Sequence, residues 1–233
     1  MIKLEKTDVY GWEAAIRGMR NPMNSWEKSD SHYCTATCSD ECVGCDSFMR
    51  LDGAHSFCTN PLTLGPNDHD LMMRLTKGGA THAKYRRMIT VTVDITAPLY
   101  WWKEFDTYKV GTVANSCSTM HEIHDKEFTL EDFSCEHLHV NELSLLEAII
   151  DVLNENRDGY IATKNKNAYW WPMIQLLPSS YNQKRTIMLN YEVLTGIYES
   201  RKNHKLDEWL DFCKWIKELP YSELITGEEE DDD

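Results

Sequence analysis

The chain has 233 residues, 42% hydrophobic and 27% charged, a globular composition that excludes a disordered protein or a metal mini-domain. Its formal net charge is −14, and the acidic residues 228–233 supply part of this excess. An acidic body lacks the clustered Lys and Arg that long nucleic acid requires, but one or two well-placed cations are enough to bind a nucleotide.

No part of the sequence indicates secretion or a membrane. The first residues lack an apolar run of signal-peptide length, and no stretch approaches the roughly 18 apolar residues of a membrane span. We therefore expect a cytoplasmic protein without a membrane partner. Its eight Cys residues are then expected to be thiols or metal ligands, because the cytosol keeps thiols reduced.

The first elements are a short strand and a helix. Residues 2–6 predict the strand, and Asp8 is placed to cap a helix that ends at Asn21-Pro22. From residue 24 to residue 66 the sequence has neither a helical nor a strand period. These residues predict a long Cys-rich insertion.

The clearest strand signal follows the insertion. Asn67 or Asp68 is expected to cap a helix, and residues 88–95 then alternate between apolar and polar side chains. Pro98 fits the first turn of an aromatic helix after this strand. The residues expected to face the core are Ile89, Val91, Val93 and Ile95.

The C-terminal half is mainly helical in its periodicity. Apolar side chains recur at helical spacing in four stretches, 143–153, 165–177, 186–201 and 206–219. Neither an internal repeat nor a clear linker is present. We therefore predict a single α+β domain across residues 1–233, with a helix-rich C-terminal half and an acidic tail at 228–233.

A motif in residues 176–204 points to a known family. Counted from its proline, the Leu-Pro pair is followed by an Asn after twelve residues, a Leu after four more and an Arg after another seven. This spacing resembles that of the flavin-dependent thymidylate synthases, and the similarity spans roughly residues 67–219. The matching residues are Leu177, Pro178, Asn190, Leu194 and Arg201.

The resemblance implies an antiparallel sheet and a homotetramer with shared sites. It also implies FAD as cofactor, dUMP as substrate, and methylenetetrahydrofolate and NADPH as co-substrates. Arg201 takes the catalytic role, a fixed cation that stabilises negative charge on the uracil. On one helix, Asn190 and Arg201 would lie only about 20° apart. The alternative is that Arg201 merely ends a helix and caps its carbonyls.

Further site residues follow from the same resemblance and from the loop at 110–119. We expect this loop to offer backbone amides to a phosphate, with a simple turn as the alternative. Arg86 would face the flavin pyrophosphate, or else belong to a solvated basic face. The predicted substrate-binding residues are Ser116, Cys117, Ser118 and Arg201. The predicted cofactor-binding residues are Arg86, Asn115, Asn190 and Glu192.

The sequence also departs from the family at its cationic positions. Where the family has Arg-His-Arg, this chain has Phe105-Asp106-Thr107, or Tyr108-Lys109-Val110 if the gap is placed differently. Ile174 takes the place of another Arg. Two alternatives therefore remain open beside dUMP methylation. One is the modification of another pyrimidine nucleotide, and the other is a non-catalytic protein that binds flavin or nucleotide on the same fold.

The Cys-rich insertion carries a separate signal. Four thiols at short spacing can close a tetrahedral zinc site, which would order a segment that lacks a core of its own. An iron–sulfur site, disulfides and unliganded thiols are the alternatives. The predicted zinc ligands are Cys34, Cys38, Cys42 and Cys45.

Overall fold

The computed structural model describes residues 2–33, 62–119 and 121–228. The strands in these residues are β1 Lys3–Tyr10, β2 His32–Tyr33, β3 Leu62–Thr63, β4 Thr90–Pro98, β5 Val113–Ser116 and β6 Asn182–Asn190. The α-helices are α1 Trp12–Arg20, α2 Pro66–Lys77, α3 Leu99–Phe105, α4 Val140–Thr163, α5 Trp171–Leu176, α6 Tyr191–Arg201, α7 Asp207–Lys217 and α8 Glu223–Thr226. This mixture of helices and sheet confirms the predicted α+β class.

Two sheets and two compact units organise these elements. The larger sheet has the strand order β1-β4-β6-β5, and β2 pairs antiparallel with β3. The first unit comprises the described residues of 1–3, 95–107 and 115–186. The second comprises the described residues of 4–94, 108–114 and 187–228. No helix in the described part of the chain has the length and apolar character needed to cross a membrane.

The strand prediction at residues 88–95 is confirmed by β4. Its apolar side chains are all nearly inaccessible, while the alternate residues of the strand are half-buried. Burial on one face is the reason for the alternation. The buried residues are Val91, Val93 and Ile95 within β4 and Ile89 just before it.

The start of α1 differs from the prediction. Asp8 does not cap the helix, because it lies within β1, which is longer than the sequence indicated. The N-cap is Gly11, with a φ of 94° that favours glycine. A Cβ at Gly11 would also collide with the carbonyl oxygen of Met88.

The predicted cap of α2 is also wrong, because Asp68 forms a buried ion pair instead. The helix begins at Pro66, and the Asp30 carboxylate accepts hydrogen bonds from the backbone of Asn67 and Asp68 at 3.0 and 3.1 Å. The Asp68 carboxylate is itself fully buried and accepts a hydrogen bond from Arg20 Nε at 2.6 Å. A distant residue therefore caps this helix, while Asp68 binds α1.

Asp68 also holds the segment that precedes β2. Its second oxygen accepts hydrogen bonds from the hydroxyls of Ser29 and Ser31 at 2.7 and 2.6 Å. Burial raises the pKa of Asp68, but the hydrogen bonds from Ser31, Ser29 and Arg20 outweigh burial and leave that pKa below its usual value. The carboxylate is therefore ionised at neutral pH and compensated by donors.

The predicted helix over 186–201 is in fact a strand followed by a helix. Ile187 and Leu189 are fully buried, whereas Thr186 and Met188, which alternate with them, are exposed. This period of two belongs to β6, and α6 starts only at Tyr191. β6 therefore places in the larger sheet side chains that were predicted to lie in a loop or in a helix.

The first unit has its own core under α4. Leu146, Ile150 and Leu153 form the buried stripe of this helix, as its periodicity predicted. The remaining buried residues of this core are Ile123, Phe128, Phe133 and Met173.

The aromatic helix differs from its prediction at both ends. Pro98 ends β4 instead of opening this helix, and the helix runs only to Phe105.

Candidate functional site

Arg201 is the last residue of α6 and is held by two aromatic side chains of the second unit. Its Nε donates a hydrogen bond to the Tyr108 hydroxyl at 3.0 Å. Its guanidinium carbon lies 4.6 Å from the ring centre of Trp209, which is fully buried. A guanidinium stacked on one ring and hydrogen-bonded to another has a fixed plane, which suits it to planar recognition of a ligand.

Asn190 marks the other end of α6. Its side-chain oxygen accepts a hydrogen bond from the backbone N–H of Val193 at 3.0 Å, so Asn190 is the N-cap of this helix. Its Nδ2 lies beside Gly111, where an added Cβ would approach it to 3.1 Å. Gly111 has a φ of 79°, and the segment passes Asn190 closely there. The cap therefore uses the side-chain oxygen of Asn190 and not its amide nitrogen.

The structure brings two predicted cofactor residues together as an ion pair. Arg86 is 4% exposed, and its Nη2 lies 2.9 Å from a carboxylate oxygen of Glu192, in the first turn of α6. Arg86 also donates to the Thr195 hydroxyl at 3.1 Å and to the Leu224 carbonyl at 3.3 Å. These contacts fix α6 against α8. The solvated basic face considered for Arg86 is excluded by this burial.

The predicted substrate segment lies in the first unit from Asn115 onward and has a strand where a loop was expected. Asn115 and Ser116 belong to β5. The Cys117 N–H donates to the Lys184 carbonyl at 3.0 Å and is therefore not open to a phosphate. The Ser118 hydroxyl accepts a hydrogen bond from His121 N–H at 2.9 Å. Pairing with β6 thus replaces the predicted nest of amides at Cys117.

Two residues of β6 next to this segment, Gln183 and Arg185, were not predicted from the sequence. Gln183 is buried, donates to the Cys117 carbonyl at 2.8 Å and accepts from Arg185 Nε at 2.9 Å. Arg185 also donates to Asp106 at 2.7 Å, and its guanidinium carbon lies 4.1 Å from the ring centre of Trp102. The alternation of β6 was the signal that could have identified both residues.

The predicted zinc ligands Cys34, Cys38, Cys42 and Cys45 lie outside the described residues. Within residues 2–33, 62–119 and 121–228, no group of three or more His, Cys, Asp or Glu side chains is arranged to hold a metal ion. The pairing of β2 with β3 aligns His32 with Thr63 and Tyr33 with Leu62. Both ends of the Cys-rich segment therefore meet in one antiparallel pair.

Comparison with known proteins gives a result at the level of structure. No family model and no curated protein sequence matches this chain. Two solved structures of the flavin-dependent thymidylate synthase ThyX from Helicobacter pylori, with FAD and dUMP, match it with TM-scores of 0.62 and 0.63. Each is 15% identical in sequence and covers 97% of this chain and 98% of its own.

The chain has the fold of a flavin-dependent thymidylate synthase. The match spans nearly the full length of both proteins, whereas the motif in residues 176–204 pointed to the same fold from a small part of the sequence. At 15% identity the likeness concerns the fold of the thymidylate synthase, while the assignment of single residues has to come from their surroundings in this chain.

Proposed function

We propose that this protein is a flavin-dependent thymidylate synthase that converts dUMP to dTMP. The observation that carries the proposal is the placement of Arg201, which has the family spacing in sequence and is held by Tyr108 and Trp209. The solved ThyX structures of the same fold contain FAD and dUMP, which supports a flavin and a pyrimidine nucleotide as ligands. Methylenetetrahydrofolate and NADPH complete the proposed reaction.

The residues of the second unit suit distinct tasks in this reaction. The guanidinium of Arg201 donates to a uracil carbonyl and stabilises the negative charge that develops as the base is activated. The amide nitrogen of Asn190 suits a flavin carbonyl or ribityl hydroxyl. Arg86 and Glu192 keep the first turn of α6 in place through their ion pair. When bound, reduced FAD supplies the hydride that turns the transferred methylene into a methyl group.

The first unit supplies the proposed nucleotide segment, residues 115–118. Gln183 fixes the carbonyl of Cys117, so the exposed side chains of Ser116 and Ser118 project from a backbone that is already ordered. Ordered hydroxyls lose little freedom when they bind a ligand, which favours affinity. We propose that Asn115 contacts the cofactor and that residues 116–118 contact the nucleotide. Assembly into a homotetramer, with sites shared between subunits, is part of the same proposal.

Formation of dTMP tests the proposal directly. The purified protein, incubated with FAD, NADPH, methylenetetrahydrofolate and dUMP, is expected to form dTMP, measured by chromatography. Omitting FAD or NADPH should stop the reaction, because the methyl group requires a hydride that passes through the flavin. The absence of dTMP in the complete mixture would contradict the proposal.

One observation favours a different pyrimidine nucleotide as the second candidate substrate. In the alignment that places residues 105–107 at the family's Arg-His-Arg signature, Asp106 replaces its His, and this carboxylate neutralises Arg185 at 2.7 Å. A site with fewer available cations binds a nucleotide phosphate less strongly. The dTMP assay should therefore include other pyrimidine nucleotides in parallel. A methylated product from one of them, but not from dUMP, would favour this second function.

We also propose a structural zinc ion bound by Cys34, Cys38, Cys42 and Cys45. The spacing of the four thiols and the antiparallel pairing at the ends of their segment support it. The purified protein is then expected to contain one zinc per chain by elemental analysis. Replacing Cys42 and Cys45 with Ser should remove the zinc, whereas Cys213→Ser should retain it. A wild-type protein free of zinc would contradict the site.

A further inference from the structure

A groove in the second unit is lined by lysines and has no role in the proposed reaction. It has a volume of about 420 Å³ and lies between α6 and α7. Three lysines line it, and Glu228 is the one acidic residue of its lining in the described part of the chain. The lining residues are Tyr198, Lys202, Asn203, Leu210, Cys213, Lys214, Lys217 and Glu228.

The carboxylate of Glu228 already occupies donors of this groove. One oxygen accepts a hydrogen bond from the Tyr198 hydroxyl at 3.1 Å, and the other accepts one from Lys217 Nζ at 3.0 Å. Lys202 and Lys217 also place their ammonium groups 5.4 and 5.7 Å from the ring centre of Tyr198. The groove therefore presents a hydroxyl and ammonium groups to a single anion.

The charges around Glu228 favour an anion. The Glu199 carboxylate, outside the lining, lies 3.8 Å from Lys202 Nζ and offsets part of its charge. Burial raises the pKa of the Cys213 thiol to about 11, so this side chain adds no negative charge at neutral pH. The hydrogen bond with Lys217 lowers the pKa of Glu228, which keeps its carboxylate ionised. Against the carboxylates of Glu199 and Glu228, the three lysines of the lining therefore leave one positive charge in excess.

The contact with Glu228 is one that a soluble anion can displace. The Lys217 and Glu228 side chains are 52% and 54% exposed, and exposed ion pairs contribute little to stability. Glu228 also lies beyond the last turn of α8, at the first residue of the acidic run 228–233. An exposed carboxylate that belongs to neither α6 nor α7 can leave the groove without disturbing the helices that form it.

We propose that this groove is a binding site for a multiply charged anion, of the phosphate or carboxylate class, and that Glu228 is its intramolecular competitor. The ligand bridges the Tyr198 hydroxyl and the ammonium groups of Lys202, Lys214 and Lys217. Lysines are suited to this role because they bind phosphate and carboxylate as point charges. The site is separate from the contacts of Arg201 with Tyr108 and Trp209.

Calorimetric titration of the full-length protein with inorganic pyrophosphate at low ionic strength tests the proposal. Glu228→Gln is expected to tighten pyrophosphate binding about five- to tenfold, because one competing charge is removed from the groove. The control is Glu218→Gln, which changes the net charge equally at an exposed residue outside the lining. Its affinity should stay within about twofold of the wild type.

A second pair of variants locates the bound anion. In the Glu228→Gln protein, Lys217→Gln should weaken pyrophosphate binding about tenfold, whereas Lys205→Gln, outside the lining, should leave it unchanged. Titration with citrate in parallel shows which class, phosphate or carboxylate, binds more tightly. The proposal is overturned if neither anion binds saturably, if both Glu variants behave alike, or if both Lys variants weaken binding equally.

Discussion

Arg201→Ala is expected to lower the rate of dTMP formation about 100- to 1000-fold. The reason is that a fixed donor to a developing negative charge contributes on this scale to catalysis. The substitution should leave the fold intact, since Arg201 ends α6 at a half-buried position. The measurement is the steady-state rate at saturating dUMP, accompanied by the thermal midpoint of unfolding of each variant.

Tyr108→Phe is the matched control for the orientation of this arginine. It removes the hydrogen bond to Arg201 Nε but keeps the ring, so the rate should fall only about tenfold, as expected for one hydrogen bond. Arg201→Lys keeps the charge without the stacked plane on Trp209 and should stay close to the Ala variant. An Arg201→Ala protein that unfolds would give Arg201 a structural role, and one with full activity would contradict its catalytic role.

Asp68→Asn is expected to lower the free energy of unfolding by about 3–5 kcal/mol. The substitution leaves the guanidinium of Arg20, which is 4% exposed, without its charged partner, and breaking a buried ion pair from one side has a cost of this size. It also weakens the contacts with Ser29 and Ser31 that hold the segment before β2. Urea unfolding of both proteins, followed by circular dichroism, measures the difference.

The control is Asp70→Asn on the same helix. Asp70 pairs with Arg74 at 3.0 Å, but both side chains are about two-thirds exposed, so the expected loss is only about 0.5 kcal/mol. Equal effects of the two substitutions would contradict the account of Asp68.

The Asp68 contribution should also depend on pH. Its pKa is lowered in the folded protein, so the stabilisation is fully present above the usual value of 3.8. It is lost as the pH falls through the lowered value, where the folded protein takes up the proton. The difference in stability between the wild type and Asp68→Asn should therefore shrink in acid. A difference that stays constant down to strongly acidic pH would contradict the lowered pKa.

Local patterns in the sequence predicted those elements whose burial is one-sided. The alternation of β4 and the apolar stripe of α4 each report one buried face, and both were identified. The junction of β6 and α6 was missed because Thr186–Leu189 are apolar enough to continue a helical stripe. Their period of two identifies a strand only when the sheet that buries Ile187 and Leu189 is known.

Long-range pairs could not be predicted from spacing. Arg20 and Asp68 are separated by 48 positions in the sequence, and Arg86 and Glu192 are farther apart still. From the neighbouring sequence alone, each of these residues would be predicted to lie on the surface or to cap a helix. Their burial follows from how helices pack, which a single sequence does not specify. For the same reason the motif indicated Arg201, but neither Tyr108 nor Trp209, which hold it.

The most direct test of the proposed function is the visible absorption spectrum of the purified protein, desalted after incubation with FAD, before and after addition of dUMP. We predict a retained flavin band that shifts when dUMP is added, because the proposal places the nucleotide against the flavin in one site. A protein that retains no flavin with or without dUMP would contradict the proposed flavoenzyme. The similarity to the thymidylate synthases would then be limited to the fold.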